Sequence, residues 1–208
     1  MENTTPKNRH SVLLVEDDKM TRQRLHQVID SLQNLTLMAV CENLAEARQA
    51  LQSQIPQVLL TDLGLPDGSG IDLIREIRQL DESVHIMVIS VFGDERNVLA
   101  AIEAGASGYL LKDGDTDYIG KAIGQLIAGE SPISAGIARH LLKKFQASSN
   151  KTTGESQAVK DSSLLTLRET EVLALIAKGY TYNEVATNLE MSRHTVNAHI
   201  KNIYRKLN

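Results

Sequence analysis

The sequence predicts a doubly wound α/β domain built on a five-stranded parallel sheet, followed by a small all-α domain. Three observations carry this expectation. Short apolar runs alternate with amphipathic helical patterns five times in the first 131 residues; composition changes abruptly after residue 145; and two helix-start signatures lie close together near the C-terminus. Such alternation builds a parallel sheet with right-handed crossovers and helices on both faces.

The strands fall at 11–15, 35–41, 57–62, 85–90 and 108–111, where near-continuous apolar runs suit burial on both faces of a sheet. Helical patterns follow at 20–31, 44–52, 71–80, 94–104 and 115–128, with Gly105 and Gly129 where helix C-caps are wanted. A further short helix is expected over 134–145. Residues 146–163 are rich in Ser, Thr, Lys and Gly, which describes a flexible connector. Beyond it, Thr166 with Glu169 and Thr181 with Glu184 form capping boxes, in which hydroxyl and carboxylate satisfy orphan backbone donors reciprocally. Gly179 ends the first of these helices, and Ser192 caps a third over 193–207.

On that third helix Val196, Ile200, Ile203 and Leu207 share a narrow arc, the expected buried stripe. Opposite lie His194, Ala198, Lys201 and Arg205, with Asn197 on the shoulder and Arg193 at the start. A helix with that small, polar and basic face, preceded by a helix and a tight turn, fits a helix-turn-helix reader of the major groove.

Composition narrows the function classes. The chain has 208 residues, 42% apolar, with net charge −4. Residues 1–150 hold 14 Lys or Arg against 20 Asp or Glu, whereas residues 161–208 hold 6 against 5. The acidic half is a poor ligand for nucleic acid, and the other half is permissive. No run of ~18 apolar residues and no signal segment is present, so a cytoplasmic protein without membrane contact is expected. The single cysteine, Cys41, has no intramolecular partner and reads as a small core residue.

The chemistry concentrates in three acids. Glu16 and Asp17 end one strand and Asp62 ends another; in an open parallel sheet these C-terminal ends share one rim, where ligands bind. Clustered carboxylates repel one another at neutral pH, and a hard divalent cation with oxygen ligands keeps them ionised.

With these residues in hand, the chain resembles a two-component response regulator of the NarL/FixJ family, with a flavodoxin-like receiver over 11–131, a short helix and linker over 132–163, and a LuxR-type helix-turn-helix domain over 164–208. The matches are VLLVEDD, LLTDLGLPDGSG with Asp62, MVISVFGD with Ser90, GYLLKD with Lys112, and the segment LTLRETEVLALIAKGYTYNEVATNLEMSRHTVNAHIKNIYRKL. The resemblance implies that Asp62 accepts a phosphoryl group from a histidine kinase. Mg²⁺ would be held by Asp17, Asp62 and the Gly64 carbonyl, with Glu16 acting mainly through water. Lys112 would be the opposing cation, and Ser90 and Tyr109 would turn inward as the switch. The implied output is homodimerisation or release of a domain that binds double-stranded DNA through residues 193–205.

Three departures from the family pattern bear on function. Asn183 and Asn197 stand where lysine is common, so phosphate attraction is reduced. Glu190 stands where a glycine is usual, at a cost of roughly 1 to 2 kcal/mol if its backbone is left-handed. The sequence ends at Asn208, where members normally continue into a fourth helix; dimerisation through the receiver and a weakened output domain are both open expectations. Two other functions compete with transcriptional control: a phosphorylation-dependent protein interaction module, and an α/β enzyme that hydrolyses phosphate esters at the acidic cluster.

Overall fold

The computed structural model describes residues 9–112, 115–149 and 165–207. The strands β1 (His10–Val15), β2 (Leu35–Cys41), β3 (Val58–Thr61), β6 (His85–Ser90) and β7 (Gly108–Leu111) form one parallel sheet in the order β2-β1-β3-β6-β7. Between β3 and β6 lies a hairpin of two-residue strands, β4 (Gly64–Leu65) and β5 (Gly68–Ser69), too short to leave a pattern in the sequence. The strand order reverses between β1 and β3, the switch point at which a crevice opens.

Period-two alternation divides the core. Val12, Leu14, Val58, Leu60, Met87, Ile89 and Leu110 face α1 (Lys19–Ser31) and α5 (Thr116–Ile127). Leu13, Val15, Leu59, Ile86, Val88 and Tyr109 face the other way, onto α2 (Leu44–Leu51), α3 (Gly70–Leu80) and α4 (Glu95–Glu103). Cys41 is buried within this second layer, and loss of hydration there pushes its thiol up to about 11. It is core, as expected.

The open edge of β7 is covered by a strap. Tyr109 donates its backbone N–H to the Pro132 carbonyl at 3.1 Å and accepts from Ser134 N–H at 3.4 Å, forming a parallel bridge with Ile133. An exposed strand edge is thereby satisfied within the chain. From the strap the chain enters α6 (Ala135–Ser149), which packs against both α4 and α7 and extends beyond the expected end at 145. Gln146 and Ala147 are good helix formers that a linker-like composition concealed. The rest of the expected connector, from residue 150, lies outside the described residues.

The C-terminal helices are α7 (Leu167–Ala177), α8 (Tyr182–Asn188) and α9 (Arg193–Arg205). Both capping boxes form, and Ser192 caps α9. Glu169 is also held by Lys206 at 2.6 Å, tying the start of α7 to the end of α9. Val196, Ile200 and Ile203 are fully buried and Leu207 nearly so. Glu190, in the turn before α9, has φ 52°, so the left-handed condition for that backbone cost is met. Glu190→Gly is therefore expected to stabilise the chain by about 1 kcal/mol in urea denaturation, since glycine meets no side-chain clash there.

Candidate functional site: an acidic rim and a helix-turn-helix domain

Parallel register brings the acids together. Val15 is paired with Thr61 across β1 and β3, so the next residues, Glu16 and Asp62, leave the sheet side by side. Glu16, Asp17 and Asp62 each present an oxygen within 4.8 Å of the others. Glu16 is fully buried and its Oε2 has no hydrogen-bond partner, while Asp17 is exposed at the mouth. A buried carboxylate oxygen left unpaired beside two further carboxylates is a donor set that suits a hard divalent cation.

Lys112 reaches the acids from the end of β7. Lys112 Nζ lies 2.6 Å from Asp62 Oδ2 and 2.7 Å from Glu16 Oε1. Burial lowers the tendency of this ammonium to stay charged, yet its bonds to Asp62 and Glu16 outweigh that and raise its pKa. Glu16 is shifted upward, chiefly by burial and further by Asp62, against the lowering influence of Lys112. Ser90, fully buried, donates its hydroxyl to Asp62 Oδ1 at 2.5 Å. Tyr109 is fully buried and donates its hydroxyl to the Phe92 carbonyl at 2.5 Å. Both side chains expected to turn inward are already inside in this conformation. The Gly64 backbone opens the hairpin two residues past Asp62, and a side chain there would collide with the Phe92 ring at 2.8 Å.

The face of α9 departs from expectation on one flank. His194, Ala198, Lys201 and Arg205 are exposed as expected. Asn197 is not: its carboxamide is buried, accepting from Ser131 N–H at 3.0 Å and donating to the Gly129 carbonyl at 3.3 Å. Arg193 pairs with Glu130 at 2.8 Å. In this conformation both residues grip the turn after α5, because the turn packs against the shoulder of α9. Tyr182 Oη adds a bond to the Ser131 carbonyl at 2.6 Å, and Arg139 donates to the Ala177 carbonyl at 2.8 Å. Lys201 and Arg205 line a cleft of about 460 Å³ whose opposite wall includes Arg78, His85 and Glu130.

Both halves of the chain match known protein families. Residues 12–124 match the response regulator receiver domain, and residues 163–208 match the luxR family of bacterial regulatory proteins. The chain is 32% identical over 197 residues to the nitrate/nitrite response regulator protein NarL of Escherichia coli, covering 95% of this chain and 88% of that protein. It is 28% identical to the transcriptional regulatory protein DegU of Brevibacillus brevis, covering 97% and 89%. Among solved structures, the RcsB response regulator of Salmonella typhimurium superposes with a TM-score of 0.61 at 25% identity, covering 96% of this chain and 92% of that one. This chain is a response regulator of the NarL/FixJ family. It joins a receiver to a luxR-type DNA-binding domain and is a regulator of transcription.

Two further residues of this response regulator, Gly70 and Asp67, shape the rim through contacts with backbone. Gly70, at the start of α3, packs so closely on the end of β3 that an added Cβ would lie 2.0 Å from the Asp62 carbonyl oxygen. Its place in the DGSG motif was the available signal. Gly70→Ala is expected to cost about 1–3 kcal/mol by overpacking against the end of β3, visible as lowered urea resistance. Asp67, in the same loop, accepts from the Leu44 and Ala45 amides and so anchors the hairpin to the start of α2.

Proposed function

We propose that Asp62 is the phosphoryl acceptor of a receiver spanning 11–131, joined through 132–163 to a DNA-binding domain over 164–208. The observation that carries this reading is that Ser90, Lys112, Glu16 and Asp17 all converge on Asp62 at one strand-end rim. Asp17, Asp62 and the Gly64 carbonyl would hold Mg²⁺, with Glu16 supporting it through water. When bound, Mg²⁺ would supply positive charge to screen the incoming phosphoryl group from the acceptor. An Asp62 oxygen forms the new O–P bond as the N–P bond of a kinase phosphohistidine breaks. Lys112 neutralises charge on the phosphoryl oxygens, and Ser90 donates its hydroxyl to one of them. The chain catalyses only its own phosphorylation and, with water, its dephosphorylation.

The closed arrangement is the resting form. Residues 129–134 are bonded on one side to the backbone of Tyr109 and on the other to Tyr182 and Asn197. A shift at Tyr109 therefore pulls on the turn that holds α9. Release would free Arg193 and Asn197 and clear the cleft beside Lys201 and Arg205, so that these four, with the already exposed His194 and Ala198, could meet phosphates and base edges of double-stranded DNA as a phosphorylation-dependent homodimer. Among the described residues no helix is long and apolar enough to cross a membrane; a cytoplasmic site of action accords with partners that are a kinase and DNA.

Incubation with acetyl phosphate and Mg²⁺ is expected to add one phosphoryl group per chain by intact mass, and Asp62→Ala to add none. Mass gain in that variant overturns the assignment, and continuous turnover of external phosphate esters would mark an enzyme instead. A gel shift on genomic fragments separates DNA control from a pure protein interaction module, for which retardation would vanish with added salt.

A further inference from the structure

We propose that Arg22 and Arg24 of α1 are positioning residues for the acidic rim, each clamping a different side of it by backbone. The inference rests on the phosphoacceptor reading above and adds two residues to it. Each reaches the rim through main-chain carbonyls, Arg22 those of Glu16 and Asp17 and Arg24 that of Lys112.

Arg22 Nη1 donates to the carbonyls of both Glu16 and Asp17 at 2.8 Å, and its Nη2 donates to Glu42 at 2.6 Å. Its side chain is only 14% exposed, which holds the fork in place. Arg24 Nη2 donates to the carbonyl of Lys112 at 3.0 Å. Residues two apart on a helix point about 200° from one another, so α1 reaches the β1–β2 side with one arginine and the β7 side with the other. The acid pair and the opposing lysine are thus fixed from a single helix.

The physical need is plain. Three carboxylate oxygens within 4.8 Å repel, and the loop carrying two of them must resist spreading. A planar guanidinium that always carries its charge meets two carbonyls and a carboxylate at once, which a lysine ammonium on its flexible stem matches poorly. Lys112 is held at its amide by the Ser90 carbonyl at 3.0 Å and at its own carbonyl by Arg24, so its reach to Asp62 is set at both ends of the residue.

The two clamps predict different losses. Arg22→Ala is expected to weaken Mg²⁺ binding by about tenfold or more in calorimetry, the usual effect of removing support behind metal ligands. Arg22→Lys keeps the charge but not the fork and is expected to fall between that variant and wild type. Arg24→Ala is expected to leave Mg²⁺ affinity within about twofold while slowing phosphoryl acceptance from acetyl phosphate at saturating Mg²⁺ by about tenfold or more, through misplacement of Lys112. A merely structural role would lower melting temperature in both without separating the two readouts. Wild-type Mg²⁺ affinity in the Arg22 variants, or equal loss of both readouts in the Arg22 and Arg24 variants, overturns the inference; should Arg22→Ala fail to fold, Arg22→Lys decides it alone. If the wild-type chain itself binds no Mg²⁺ and gains no phosphoryl group, the functional reading has failed instead.

Discussion

Lys112→Ala is expected to destabilise the chain by about 3–5 kcal/mol at neutral pH without Mg²⁺, and to abolish measurable phosphoryl acceptance. The ammonium is 10% exposed and its partners Glu16 and Asp62 are 1% and 5% exposed, so the deletion strands two buried carboxylates beside a third acid. Removing one partner of a buried ion pair costs this much because the remaining charge is neither hydrated nor paired. The loss has a definite pH dependence. Glu16 already has a raised pKa, and without Lys112 its main lowering influence is gone, so it rises further. An acid whose folded pKa is raised binds more protons folded than unfolded, and stability falls as pH rises from 4.5 through the folded value. The variant should thus be closest to wild type near the bottom of that window and furthest from it at neutral pH. Added Mg²⁺ should restore part of the difference by supplying the missing positive charge. Urea denaturation across pH, with and without Mg²⁺, measures all three effects; a pH-independent deficit that ignores Mg²⁺ would mean that Lys112 acts by packing alone.

Most of this site was legible because its chemistry sits at strand ends. Apolar runs mark the strands, and the residue after each run lands on the rim whatever the loops do. Glu16, Asp17 and Asp62 follow from that rule alone, whereas Ser90 and Lys112 come from the resemblance of MVISVFGD and GYLLKD to the family's motifs; the structure brings Ser90 and Lys112 within hydrogen-bond distance of Asp62. Arg22 and Arg24 left no such mark, since an arginine on an amphipathic helix reads as a solvated face and its bond to a carbonyl of another segment has no sequence pattern. Asn197 shows the limit of helical periodicity. At 100° per residue it stands beside the buried stripe, and one helix considered by itself cannot reveal a second body on its shoulder. The α9 surface carries two buried flanks, one toward α7 and α8 and one toward residues 129–131.

That second flank is held by few bonds, and Tyr182→Phe is expected to loosen it. The variant keeps the ring in its buried position and removes only the hydroxyl that reaches the Ser131 carbonyl at 2.6 Å. A buried acceptor left without its donor costs about 1–3 kcal/mol, felt in the closed form alone because water satisfies both groups once the domains part. Each ~1.4 kcal/mol shifts the balance tenfold, so the open population should rise roughly 5- to 150-fold. Asn197→Ala would remove a bond to the same Ser131, but Asn197 is also a proposed DNA contact; Tyr182→Phe separates opening from binding. In the unphosphorylated state the variant should retard genomic fragments at lower protein concentration than wild type. Phosphorylation should then add less, because part of the free energy it supplies has already been released. Small-angle scattering should show a larger radius of gyration. Unchanged DNA affinity with unchanged scattering would mean that the turn at 129–131 does not restrain α9, and control would have to run through α6, whose Lys144 pairs with Glu103 of α4.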